Sequence, residues 1–572
     1  MTFLSSRKSR GKTYWSICES RRIEGKPRNI PIEYLGTAET LLKRLSDEDD
    51  CSIKSYSHGD TAALINIAIE LDIVNIINRY IPINQKGQKP IRDGLTVGGT
   101  FLLGAIGRAC RPTSKMGWYN WCEKTSLEYC LKSSFKALDS QHFWDQMDSL
   151  PVESIAKIEE EIVKKLIDKY DVKLDCLFYD TSNFFTFIDS QNKHCDIPQR
   201  GKNKQKRADL RQIGVALMVS REDQFPLFHK TYRGNKNDVT VFKEVFPSLL
   251  NRLRRISKEL YDITIIFDKG NNSKDNFKKV DCEEELYYVG GLVTSYFKDL
   301  VEEANRKFTI IKVRGEEISV FRTKREIWGK QRTCVVTISE QLKQGQIHGI
   351  YQNLKKKYKL LDKFKQQLEN PKRRKKRDRS DIEKRLGKTI QGQFIRDILK
   401  YNIIELKDGH PSYNYFIDEK AFEKLKEEAL GRRILVTNRH EWNNEEIILA
   451  YRGQSKVEYV FKNLKNPYHL AIRPQYHWTD QKIAAHILIC MIGYLLTIAA
   501  YTKARRAKAY KKNLDNFMED LRGIRLAYRI KKKGRKVKYQ LEEIHSSLKK
   551  LLKTLRISPD NLRPNINLSD YT

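Results

Sequence analysis

KLDCLFYDTSNFF (residues 173–185) runs apolar up to Asp180, and ITIIFDKGNN (263–272) runs apolar up to Asp268. Short apolar runs bounded by polar turn residues read as strands buried on both faces, since a half-buried strand would alternate. Between them lie RQIGVALMVS (211–220) and QFPLFHKTYRG (224–234), two strands joined by the polar turn Arg221-Glu222-Asp223. VTVFKEVFPSLLNRLRRISKEL (239–260) then repeats Val, Phe and Leu at three- and four-residue spacing, as an amphipathic helix does. LYYVGGLVTS (286–295) supplies a fifth strand.

The order strand, strand, strand, helix, strand predicts an α/β, ribonuclease-H-like core. Its first and fourth strands would be parallel neighbours joined by a right-handed crossover, with Asp180 and Asp268 side by side. Two aspartates at the ends of rigid neighbouring strands suit hard divalent cations, which take oxygen ligands. The competing reading makes both aspartates ordinary strand-end turn formers. Asp175 is a rival first ligand, although it precedes the apolar run, and Asp238 reads as the cap of the following helix.

Working outward, 572 residues exceed what one core accommodates. Residues 1–55 read as a small basic β region, with a hairpin over 12–35 turning at Gly25-Lys26-Pro27. Residues 56–170 read as a mainly helical region. The core would occupy 171–300 and 436–510, interrupted by an inserted mixed α+β domain at 301–435, with 511–572 a basic C-terminal region holding a hairpin. The excess of 108 Lys+Arg over 72 Asp+Glu, a formal +36, favours a polyanionic partner through counterion release. The ten cysteines show no metal-ligand spacing and read as reduced structural thiols in a cytoplasmic protein. The apolar stretch 484–500, which includes His486, reads as a buried helix. The basic run 372–379 reads as a solvated face or a DNA contact, and Trp328 as structural or as a stacking platform for a base.

The third acid comes from AYRGQSKVEYVFKNLKNPYHL (450–470). One helix over 444–466 would align Tyr451, Gln454, Glu458, Lys462 and Lys465 on a stripe, with Val457, Val460, Phe461 and Leu464 on the adjacent core face. Ser455-Lys456-Val457-Glu458 also has the form of a capping box, which would give Glu458 a purely structural task.

Tyr451-xx-Gln454-xxx-Glu458-xxxxxx-Lys465 resembles the Y-R-E-K signature of a large group of insertion-sequence transposases with a DDE domain. LFYDTSNFF, YRGNKND (232–238), FDKGNNS (267–273), RPQYHWTDQKIAAHILIC (473–490) and the opening GKTYWSICESRR…GKPRNIPIEYLG resemble the same group. The resemblance implies a DDE triad of Asp180, Asp268 and Glu458 holding two Mg²⁺ ions (or Mn²⁺), with Tyr451, Lys462, Lys465 and Arg473 on DNA. It further implies cleavage and strand transfer at the element's inverted repeats, target DNA as second substrate, and a homodimer on paired ends in a prokaryotic nucleoid rather than at a membrane. A nuclease of the same fold that does not join strands, or an inactive DNA-binding relative, is the alternative. The chain departs from the signature at its arginine, where it carries Gln454, with Arg452 and Lys456 nearby.

Overall fold

The computed structural model describes residues 2–558 except 24–25, 47–50, 190, 204, 258–261, 284–285, 371–377, 407–408, 474 and 532–536. The chain divides into two compact units. Met1–Lys169, Phe185–Asp196 and Asn463–Thr572 make the first, and Tyr170–Phe184 with Ile197–Lys462 the second.

In the first unit the N-terminal residues form a three-stranded antiparallel meander, Thr2–Ser9, Lys12–Ile23 and Lys26–Gly36. The expected hairpin thus gains a strand ahead of it, and the Gly25 part of its turn lies outside the described residues. The helical pattern after residue 58 breaks into Gly59–Glu70 and Ile73–Arg79. Asp72 takes a left-handed φ of 56° at the break, a conformation that a short polar side chain tolerates. Asp480–Arg506 is long and apolar enough to cross a membrane, but its apolar window is wholly buried in this unit. It packs on Val97–Cys110, and the crossing needs Gly493, where a Cβ would stand 2.8 Å from the Ala105 carbonyl oxygen. The C-terminal hairpin, Arg525–Lys531 with Val537–Leu541, pairs with Cys51–Ser57 to make one sheet from the two ends of the chain.

The second unit is built on a nine-stranded mixed sheet. Its strands are β1 (Cys176–Phe185), β2 (Gln212–Ser220), β3 (Pro226–Arg233), β4 (Thr264–Phe267), β5 (Tyr287–Leu292), β6 (Thr309–Val313), β7 (Glu316–Ile327), β8 (Lys330–Ile338) and β9 (Arg432–Thr437). Across the sheet they run β6-β7-β8-β9-β5-β4-β1-β2-β3. β4 is parallel to both β1 and β5, whereas β2–β3, β5–β9 and β6 through β9 pair antiparallel. The apolar runs that predicted β1, β2 and β4 are buried residue by residue through Tyr179, Ser220 and Phe267. β1 continues past Asp180 to Phe185, half-buried except for buried Phe184, because strand pairing outlasts the apolar run from which the end was read. Helix α1 (Asp238–Ile256) follows β3 and buries Val241, Phe242, Val245, Phe246 and Leu249.

The segment after residue 300 first adds β6, β7 and β8 to this sheet, and β9 lies between β8 and β5. A separate apolar cluster starts only in α2 (Glu340–Glu369), with Ile350, Leu354 and Leu361, and takes in Ile398, Tyr413 and Phe422. Lys372 to Arg377 fall outside the described residues. Trp328 turns β7 into β8 with φ 53° and lies against Phe277 at 4.9 Å and Phe297 at 6.1 Å between ring centroids, a packing role.

Candidate active site

The parallel β1–β4 pair sets Phe267 opposite Tyr179, so the next residues, Asp268 and Asp180, leave neighbouring strands about 4.8 Å apart at the same end of the sheet. Asp175 stands at the other end of β1, where its carboxylate meets Arg221 at 2.5 Å, so it is not a rival ligand.

The predicted helix over 444–466 is two helices, α3 (Asn444–Arg452) and α4 (Ser455–Asn463). The break at Gly453 brings the backbone onto the sheet, and a Cβ there would lie 2.4 Å from the Phe178 ring. Tyr451 and Glu458 consequently sit on different helices, and Lys465 lies past the end of α4. The capping box in this region is formed by Asn443 and Glu446. Ser455 is already helical and donates its hydroxyl to the Arg452 carbonyl at 3.1 Å, so Glu458 stands one residue beyond the box position.

Glu458 reaches the aspartates electrostatically. Burial, then repulsion from Asp268, Glu458 and Asp238, raise the Asp180 carboxyl to about 7 against a stabilising backbone N–H of Thr181. Asp238 is therefore a fourth acid of the site. The expected cap is instead Asn237, which accepts from the Thr240 N–H at 2.9 Å. Asp238 follows it as the first helical residue and accepts the Thr181 hydroxyl at 2.8 Å. The signal was in the sequence, since Asn237 is an equally good cap one residue earlier.

Tyr451 is buried and donates its hydroxyl to Asp268 Oδ1 at 3.0 Å. Burial and the Asp268 charge push this phenol up, so it remains a donor. Gly291 of β5 makes room for it, since a Cβ there would be 2.6 Å from the phenol oxygen. The side chain expected on DNA thus positions an aspartate. Gln454 is buried. The two cations beside it are engaged elsewhere, Arg452 with Glu316 at 2.9 Å and the Lys456 ammonium on the Arg221 carbonyl. Lys462 is exposed on α4, while half-buried Lys465 and exposed Arg473 belong to the first unit.

Among the described residues, Asp180, Asp238, Asp268 and Glu458 form no ion pair, in a protein of formal charge +36. Like-charged carboxylates gathered without a counter-charge are stable only if a proton or a cation joins them. Their oxygen donors fit a hard divalent ion. Among the described residues no three acid, His or Cys side chains are already drawn to coordination distance, so ligation would bring these carboxylates closer together.

Residues 185–496 match the family described as "Transposase DDE domain", more than half of the chain, and the chain belongs to that family. Asp268 and Glu458 lie inside the matched range and Asp180 just before it. No curated protein matches. Among solved structures, a piggyBac transposase synaptic complex with hairpin DNA aligns at 10% identity over 80% of this chain and 79% of that one, with a TM-score of 0.37.

Proposed function

We propose that this DDE-family transposase cleaves and joins DNA with Asp180, Asp268 and Glu458 as metal ligands, on a ribonuclease-H-like core. The strand order β3-β2-β1-β4-β5 supports that core. The observation that carries the reading is the convergence of four unpaired acids from β1, β4, α1 and α4. Bound Mg²⁺ would activate the attacking hydroxyl and stabilise the leaving oxygen. The protein's own part is to orient the carboxylates, with Tyr451 fixing Asp268 and the Thr181 hydroxyl fixing Asp238. The Y-R-E-K group, a homodimer on paired ends, and terminal-repeat binding by the first unit belong to the same proposal. The formal +36 supports a DNA partner.

The test is strand cleavage and joining on DNA carrying the element's own ends, with Mg²⁺, for wild type and Glu458→Ala. Both products from wild type and neither from a variant that still binds DNA support the reading. Cleavage without joined products makes the protein a nuclease, and an active Glu458→Ala removes the third ligand.

A further inference from the structure

A second cluster of unsatisfied polar groups lies in the first unit. A cavity of about 370 Å³ opens between exposed Tyr476 and half-buried Trp144, and its inner wall carries Arg108, Lys115, His477 and His486. These four are 3%, 9%, 6% and 1% exposed, so water solvates none of them well. Both ring nitrogens of His477, Nδ1 of His486 and Nε of Arg108 are buried without a hydrogen-bond partner.

Arg108 donates to the neutral backbone carbonyls of Thr113 at 2.7 Å, Arg473 at 2.6 Å and Ala471, and also meets the Cys490 thiol. The Lys115 ammonium lies 4.9 Å above the Phe143 ring and has no carboxylate partner among the described residues. His486 Nε2 donates to the Ile472 carbonyl at 2.8 Å, which orients the ring and leaves Nδ1 free of a proton. His477 stacks on it with ring centroids 4.3 Å apart. The charged neighbours of these groups are cations, apart from the Cys490 thiol. Lys482, next to His477, already has Asp148 at 2.6 Å.

Buried donors without acceptors, and a buried ammonium without a counter-ion, are costly to fold. An oxyanion would satisfy the donors among them together, Arg108 Nε–H, the Lys115 ammonium and one ring N–H of His477, because a phosphate offers several acceptor oxygens and a matching charge. We propose that this cavity is a phosphate-binding site, taking either a phosphate group at a DNA end or a free phosphate. It belongs to a different unit from the carboxylates and stands whether or not they bind metal. Burial and the neighbouring Arg108 charge pull Lys115 down to about 7, a strain that a bound anion relieves. Tyr476 and Trp144 at the mouth are suited to contacts beyond the phosphate.

The experiment is phosphorus NMR line broadening of inorganic phosphate by the full chain, with Lys115→Met and His477→Phe as variants. Saturable broadening by wild type, weakened about tenfold or more in both variants, is the expected result, from the loss of charge-assisted hydrogen bonds. Oligonucleotides with a 5′-phosphate or a 5′-hydroxyl then serve as competitors. Displacement by the phosphorylated one alone identifies a DNA end as the source, and displacement by neither identifies free phosphate. No broadening by wild type, or equal broadening by folded variants, overturns the site. If one variant fails to fold, the wild-type titration and the other variant decide.

Discussion

Tyr451 and Asp268 are 183 residues apart in the chain, yet the tyrosine hydroxyl donates to Oδ1 of the aspartate at 3.0 Å. That bond spans α3 and the end of β4, and it needs a glycine at 291 to exist. A hydrogen bond to a charged acceptor is worth about 1.5–3 kcal/mol. Tyr451→Phe keeps the ring beneath Arg433 and removes only that bond. The Mg²⁺ concentration for half-maximal cleavage should rise about 10–100-fold, as for other groups that orient a metal ligand, with DNA affinity unchanged. An unaltered Mg²⁺ requirement would show that the bond is incidental.

Asp180→Asn should end cleavage and yet stabilise the metal-free protein. The wild-type carboxyl is raised to about 7 by burial and by three neighbouring acids, so at neutral pH its charge opposes folding. Neutralising it should add about 1 kcal/mol, or roughly 2–4 °C in Tm. Calorimetry without divalent ions checks this, and a lower Tm for the variant contradicts a repulsive cluster.

Gly453→Ala should destabilise the second unit. The added methyl meets the Phe178 ring at 2.4 Å, and overpacking of this kind costs about 1–3 kcal/mol. Loss of cleavage should accompany the lower Tm, because the same displacement carries α4 and Glu458 away from β1. A variant with wild-type Tm and cleavage would mean that α3 and α4 tolerate a wider gap.

Acid should weaken the first unit through its buried histidines. Burial lowers His58 to about 4, and also lowers His477 and His486 well below the usual value. Between the folded value and the unfolded value near 6.5, the unfolded chain holds the extra proton, so stability falls as pH falls. For His58 the loss approaches about 3 kcal/mol by pH 4, and none of it is felt above about 6.5. Tm measured from pH 7.5 to 4.5 should be flat and then drop. His58→Leu should flatten the drop, and the same slope in that variant would locate the acid sensitivity elsewhere.

Much of the second unit's sheet could be read locally. Asp180 and Asp268 end apolar runs whose burial is a property of a few consecutive residues, and the parallel β1–β4 pairing followed from strand order and crossover handedness. Glu458 came from a spaced motif, and the single helix drawn around it is two helices in the structure. The break at Gly453 had no local mark beyond the glycine itself, since it is the Phe178 ring of a distant strand that draws the backbone in.

The sequence by itself determined what depends on neighbours in the chain: apolar strands, amphipathic helices, the acid types and the overall charge. Tertiary structure alone decided what depends on residues brought together from afar. It placed Asp238 among the acids, turned Tyr451 toward Asp268, added β6 to β8 to the same sheet, and stacked His477 on His486 beside Lys115. The physical reason is range. Propensity and periodicity act over a few residues, whereas a carboxylate's charge state and a buried donor's missing partner are set by whatever the fold packs within a few ångströms.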